Sequence, residues 1–170
     1  MAIDLTLKGT AITNREATPP VINNPGLGGA AREHVCLDHL ASVTAALSIT
    51  SVIRLVEVPS NAVITSLWFQ SAAQTAGKFD IGLYRNNKDG GAVVDQDFFA
   101  TAVDCASAVV QTDVLNESGT NTIAKQSQPI WKAAGMSADP KTTLDIALTV
   151  VATDVTTGTG AVGIKARYVI

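Results

Sequence analysis

The chain has 170 residues, 46% of them apolar and only 16% charged, with a formal net charge of −3. That is the length of one domain, with enough surface to bury that no disulfide staple is needed. Its twelve Lys and Arg residues are scattered, which argues against a phosphate-neutralising nucleic-acid face, and no apolar run approaches the ~18 residues of a membrane-spanning helix.

Two cysteines, Cys36 and Cys105, are too few for a disulfide framework and are expected as free thiols. The opening MAIDLTLKGT has neither a basic nor an apolar leader region, so no secretory signal is expected. These features predict a soluble protein made in a reducing compartment. Residues 1–30 read as an extended arm. Thr18-Pro19-Pro20 disfavours helix, Asn24-Pro25-Gly26-Leu27 fits a type II turn, and Gly28-Gly29 adds slack.

Residues 31–170 read as one β-sandwich domain. The segment 31–47 is ambiguous between helix and strand; a strand through His34, Cys36 and Asp38, followed by a loop, is the expectation. ITSVIRLVEVP is β-branched and stops at Pro59, with Ser60-Asn61 as the turn. AVITSLWFQSA follows, with Val63, Thr65, Leu67 and Phe69 on one face and Ile64, Ser66 and Trp68 on the other. Large apolar groups on both faces predict a strand covered on both sides.

KFDIGLYRNNKDGGAVVDQDFF, residues 78–99, reads as a hairpin. Phe79, Ile81 and Leu83 point inward, Asp89-Gly90 supplies the positive φ of the turn, and Phe98-Phe99 anchors the return. Asp95-Gln96-Asp97 is too polar for core. Residues 105–128 are rich in Ser, Thr, Asn and Gln with short apolar bursts. Gln128–Gly135 predicts one short helix, with Pro129 at its first position and Gly135 at its stop. Two strong strands follow. Leu144, Ile146, Leu148 and Val150 face in on the first; Val162, Ile164, Ala166, Tyr168 and Ile170 do so on the second. Seven or eight strands with regular turns predict an all-β, antiparallel sandwich. The long excursion over 100–140 favours a jelly-roll or Greek-key crossing.

Chemistry is sparse. His34, Cys36 and Asp38 share a strand face, with His39 adjacent, but their spacing matches no metal signature. Asp89, Asp95 and Asp97 cluster about one loop and leave calcium open, although the EF-hand ligand order is absent. Cys105 with His34 or His39 has no local support as a thiol dyad. Gly158-Thr-Gly160-Ala-Val-Gly163 resembles a dinucleotide fingerprint in letters but precedes a strand rather than a helix. Trp68 and Trp131 suit packing or, alternatively, stacking on a sugar. No catalytic, cofactor-binding or metal residues are assigned, and no cofactor is expected.

The run IRLVEVPSNAVITSLWFQSAAQTAGKFDIGLYRNNKDGGAVVDQDFFAT, residues 53–101, with GAVGIKARYVI at the close, resembles small virion structural proteins of tailed bacteriophages. The shared texture is a strand ending at a "VPSNA" turn, a "DIGLY" strand, a Gly-containing loop and a "VVDQDFFA" segment. The resemblance implies a non-enzymatic head decoration or cement protein with a β-sandwich body, assembled in the host cytoplasm. Such a protein forms oligomers, with trimers favoured, and sits on the outer head surface, where it bridges the capsomers of the major capsid protein. Neither nucleic acid nor membrane is an expected partner. The alternative is a carbohydrate-binding or host-recognition module of the virion, associated with the tail.

Overall fold

A computed structural model describes residues 17–21, 32–43, 47–74, 77–152, 155 and 160–170. Among these residues eight strands run in chain order: β1 Glu33–Leu40, β2 Val52–Pro59, β3 Val63–Ser71, β4 Lys78–Arg85, β5 Val93–Asp104, β6 Val109–Asp113, β7 Thr143–Val151 and β8 Val162–Val169. One helix, α1, spans Ile130–Ala133. The strands form two antiparallel four-stranded sheets, ordered β1-β8-β3-β6 and β2-β7-β4-β5. Every connection crosses between sheets except the β4–β5 hairpin. Two interlocked Greek keys of this kind make a jelly roll, so the predicted all-β sandwich and its crossing are both present.

The core lies between the sheets. Phe79, Ile81 and Leu83 of β4, Leu144, Ile146, Leu148 and Val150 of β7, and Val162, Ile164 and Ala166 of β8 are buried. The alternation that placed them follows the pleat of a strand. Both central strands of the second sheet are also covered on their outer side, since Asp80, Tyr84, Ala147 and Thr149 are buried too.

Over Asp80 and Gly82 the cover comes from β5. Ile81 pairs with Ala100 and Leu83 with Asp95, so two steps along β4 correspond to five along β5. The intervening residues form a large bulge. At Gly82 an added Cβ would stand 2.1 Å from the Gln96 carbonyl oxygen and 2.3 Å from that of Asp95. The bulge therefore lies directly on glycine. Asp80 ties it down: one carboxylate oxygen accepts from the Ala102 N–H and the other from Gln96 Nε2, each at 2.8 Å. Ser118 donates to the Phe98 carbonyl through its hydroxyl at 2.8 Å and to the Phe99 carbonyl through its N–H at 2.9 Å. The bulge lets two consecutive phenylalanines be buried together, edge to face at 4.9 Å, each contributing about 1.5–3 kcal/mol by burial. Asp95-Gln96-Asp97 is thus inside a strand and half-buried, and stays out of the core cluster.

The hairpin tip matches expectation. Asn86 caps a 3₁₀ turn at Asn87–Asp89, and Gly90 and Gly91 take φ of 79° and 63°. Pro129 stands just outside α1 as its N-cap, and Gly135 takes φ 77° beyond its end. α1 is fixed to the β2–β3 turn, since the Ile130 N–H donates to the Ala62 carbonyl at 2.8 Å and the Trp131 N–H to that of Ser60 at 3.2 Å.

Three sequence expectations change. β6 was hidden in the polar stretch 105–128. Ile170 is 47% exposed and lies beyond β8, so the core face of that strand closes at the half-buried Tyr168. Thr65 is skipped in the pairing of β3 with β8, where Ile64 faces Tyr168 and Ser66 faces Arg167. That irregularity puts Ile64 in the core cluster with Leu67 and Phe69 and leaves Thr65 exposed. Of the expected arm, residues 17–21 are described, with a bend at 17–19; the rest, including the turn at Asn24–Leu27 and Gly28-Gly29, lies outside the described residues.

Candidate interaction face

The outer face of the β1-β8-β3-β6 sheet carries the surface feature that best suits contact with another molecule. Strand register sets its rows. Leu37 on β1, Lys165 on β8, Trp68 on β3 and Asp113 on β6 stand opposite one another. The next row is Val35, Arg167 and Ser66. Leu37 is 69% exposed, Val35 56% and Val110 78%. Large apolar side chains side by side on one open sheet face are the usual mark of an interaction surface.

Trp68 is expected to lie under a second protein layer, but two cations cover it instead. Lys165 Nζ lies 4.8 Å and the Arg167 guanidinium carbon 5.1 Å from the ring centroid. Each such contact is worth about 0.5–1 kcal/mol at an exposed site. Arg167 also reaches Glu33 at 3.5 Å. Trp131 sits apart, in α1. The two tryptophans do not form a common platform.

Beside Trp68 the face sinks into a groove of about 620 Å³, with His39, Gln70, Val110 and Lys165 among its walls. Gly163 helps open it. A Cβ there would press on His39 Cβ at 3.1 Å. Along one side of the groove runs β6, which pairs with β3 and, among the described residues, with no strand beyond it.

The structure separates most of the candidate chemical groups. His34 stacks on Tyr168 at 5.3 Å. Burial pushes the neighbouring Cys36 thiol up, and its Sγ lies 3.8 Å from the Ala166 carbonyl. Asp38 is exposed and its carboxylate accepts from the His39 N–H at 2.7 Å. Asp89 is held by Arg85 at 2.7 Å at the hairpin tip, away from Asp95 and Asp97. Asp95 has its carboxyl raised, by burial first and then by the hydrogen bond and charge of Asp97. No group of three or more His, Cys, Asp or Glu side chains placed to hold a metal occurs among the described residues. Cys105 is buried and free, its thiol pushed up by burial to about 11. Of the Gly158–Gly163 run, residues 158 and 159 lie outside the described residues, and β8 follows it as a strand.

The sequence had signals for this face that it could not combine. Lys165 and Arg167 were legible as the outward residues of β8, and Trp68 as lying on the face of β3 opposite Leu67 and Phe69. Nothing local says that β8 lies between β1 and β3, which is what gathers them.

No family model matches the chain, and no curated protein does. Solved structures do. The fold is similar to that of a chain in the capsid of Ralstonia phage GP4, with a TM-score of 0.59 and 13% identity over 84% of this chain and 86% of that one. It is also similar to a chain in the capsid asymmetric unit of cyanophage Pam1, with a TM-score of 0.53 and 12% identity over 91% and 96%. The jelly roll is shared with phage capsid chains. At these identities the likeness establishes the fold, and it extends through nearly the whole length of both partners.

Proposed function

We propose that the protein is a non-enzymatic structural component of a tailed-phage virion, a decoration or cement protein that binds the outer surface of the head and bridges capsomers. Its partners are the major capsid protein and further copies of itself, with a trimer favoured. The observation that carries this reading is the near end-to-end match of the jelly roll to chains from two phage capsids. The outward face of Leu37, Val35, Trp68 and Arg167 supports it, because a charge-poor apolar patch with a few cations docks with little desolvation. A sugar-binding reading is less favoured, because Lys165 and Arg167 already stack on the Trp68 ring.

Co-sedimentation with heads of the parent phage that lack this protein tests the proposal. The wild-type chain is expected to bind in hundreds of copies per head. Leu37→Asp, at a position whose side chain is largely exposed, is expected to weaken binding at least tenfold. A chain that ignores heads, or is found only at the tail, overturns the proposal.

A further inference from the structure

The first sheet ends on β1, and among the described residues no strand lies beyond it. Of the four edge strands it is the least guarded. β5 is partly capped, since Ser118 donates to the Phe98 and Phe99 carbonyls and the Glu117 carboxylate accepts from the Thr101 N–H. β2 shifts register between Arg54 and Val56 and stops at Pro59, and β6 has only five residues. β1 pairs with β8 without a break over all of Glu-His-Val-Cys-Leu-Asp-His-Leu, which holds neither proline nor lysine. Such a strand offers its outer row of N–H and C=O groups to another strand. That row belongs to the odd-numbered residues. The Asp38 carbonyl oxygen lies on the β8 side, 3.3 Å from where a Cβ of Gly163 would stand, whereas the His39 N–H donates to the Asp38 carboxylate at 2.7 Å. Backbone polar groups alternate in direction along a strand, so Glu33, Val35, Leu37 and His39 turn theirs to the open edge.

We infer that β1 pairs antiparallel with β1 of a second copy about a twofold axis at Cys36, joining two four-stranded sheets into one of eight. Charge complementarity selects the second copy, because the strand matches itself in this register. Glu33 stands opposite His39, His34 opposite Asp38, and Val35 opposite Leu37, each pair occurring twice. Every carboxylate of the strand meets an imidazole, and the two outward apolar side chains meet each other. An axis between two residues would set an inward side chain against an outward one. An axis at Val35 would put Glu33 against Leu37, and one at Leu37 would put His39 against Val35. Pairing hands the His39 N–H to the Glu33 carbonyl of the second copy and frees the Asp38 carboxylate for His34. The contact closes at two copies, so it is distinct from the trimer contact favoured above, and it leaves the outward face of Val35, Leu37 and Trp68 open.

Two full-length variants test this, Val35→Cys and Leu37→Cys, each made in a Cys36→Ala background, purified alone and then mixed under mild oxidation. The remaining Cys105 is buried. Positions 35 and 37 oppose one another across the axis, whereas two copies of either one lie two residues out of step, beyond the reach of a disulfide. The mixture is therefore expected to give a disulfide-linked dimer at least fivefold above either variant alone. A mixture no more cross-linked than its components overturns the inference. Where either variant fails to fold, the wild-type chain reads the same contact through Cys36 on the axis. Its oxidation is expected to give a dimer that Cys36→Ala abolishes, and a wild-type chain that does not cross-link, or does so equally without Cys36, overturns the inference. Only the purified chain is needed, so failure here leaves head binding standing, and failure to bind heads leaves this contact standing.

Discussion

Gly82→Ala tests the central feature of the second sheet with one methyl group. Its Cβ would lie 2.1 and 2.3 Å from two carbonyl oxygens of the β5 bulge. Real Cβ contacts of this kind do not fall below 3.0 Å, so one element must move by about 1 Å. Both neighbours are backbone, and no flexible side chain can give way. The cost should lie at the upper end of overpacking, about 3 kcal/mol. For a domain of this size that lowers Tm by roughly 6–12 °C. Lifting the bulge should also weaken the bond from Gln96 Nε2 to Asp80, so Gln96→Ala should cost less in the Gly82→Ala background than in wild type. A coupling of about 0.5–3 kcal/mol is expected from the cycle. Gly163→Ala is the control, since its nearest neighbour is the His39 Cβ at 3.1 Å, and it should cost under about 1 kcal/mol. Differential scanning calorimetry of the four variants and wild type provides the assay. Gly82→Ala melting within 2 °C of wild type, or strict additivity with Gln96→Ala, would refute a bulge resting on that glycine.

Asp95 gives a pH prediction. Burial, and then Asp97, favour its protonated form, so its folded pKa lies above its unfolded one. Its contribution to stability is fully present below the ordinary carboxylate range and is lost as pH rises through the raised value. Asp95→Asn, which stays neutral, should therefore melt above wild type at pH 7 and level with it near pH 3; equal Tm values at pH 7 would contradict this. Cys105 gives a reactivity prediction. With its thiol pushed up to about 11, about one molecule in a thousand carries the thiolate at pH 8. A disulfide exchange reagent should modify it only on unfolding, and rapid labelling of Cys105 in the native protein would contradict its placement in the core.

The sequence alone determined most of the strands and, for β4 and β7, which of their side chains turn inward. The alternation in β4, β7 and β8, the Asp89-Gly90 turn and the Pro129–Gly135 helix follow from local rules, because pleat period, φ preference and capping act over a few residues. Tertiary structure decided which strands are neighbours. β1 pairs with β8 across more than a hundred residues, and no local pattern encodes that choice. Leu37, Lys165, Trp68 and Asp113 therefore look unrelated in sequence and stand in one row in the fold. The same holds for Asp80, whose place under the β5 bulge depends on a register mismatch between two strands, and for β6, whose polar sequence is extended only because Trp68 and Phe69 offer it hydrogen bonds. In-and-out alternation is a property of one strand, whereas pairing, register and the outward face it builds belong to the packing of several.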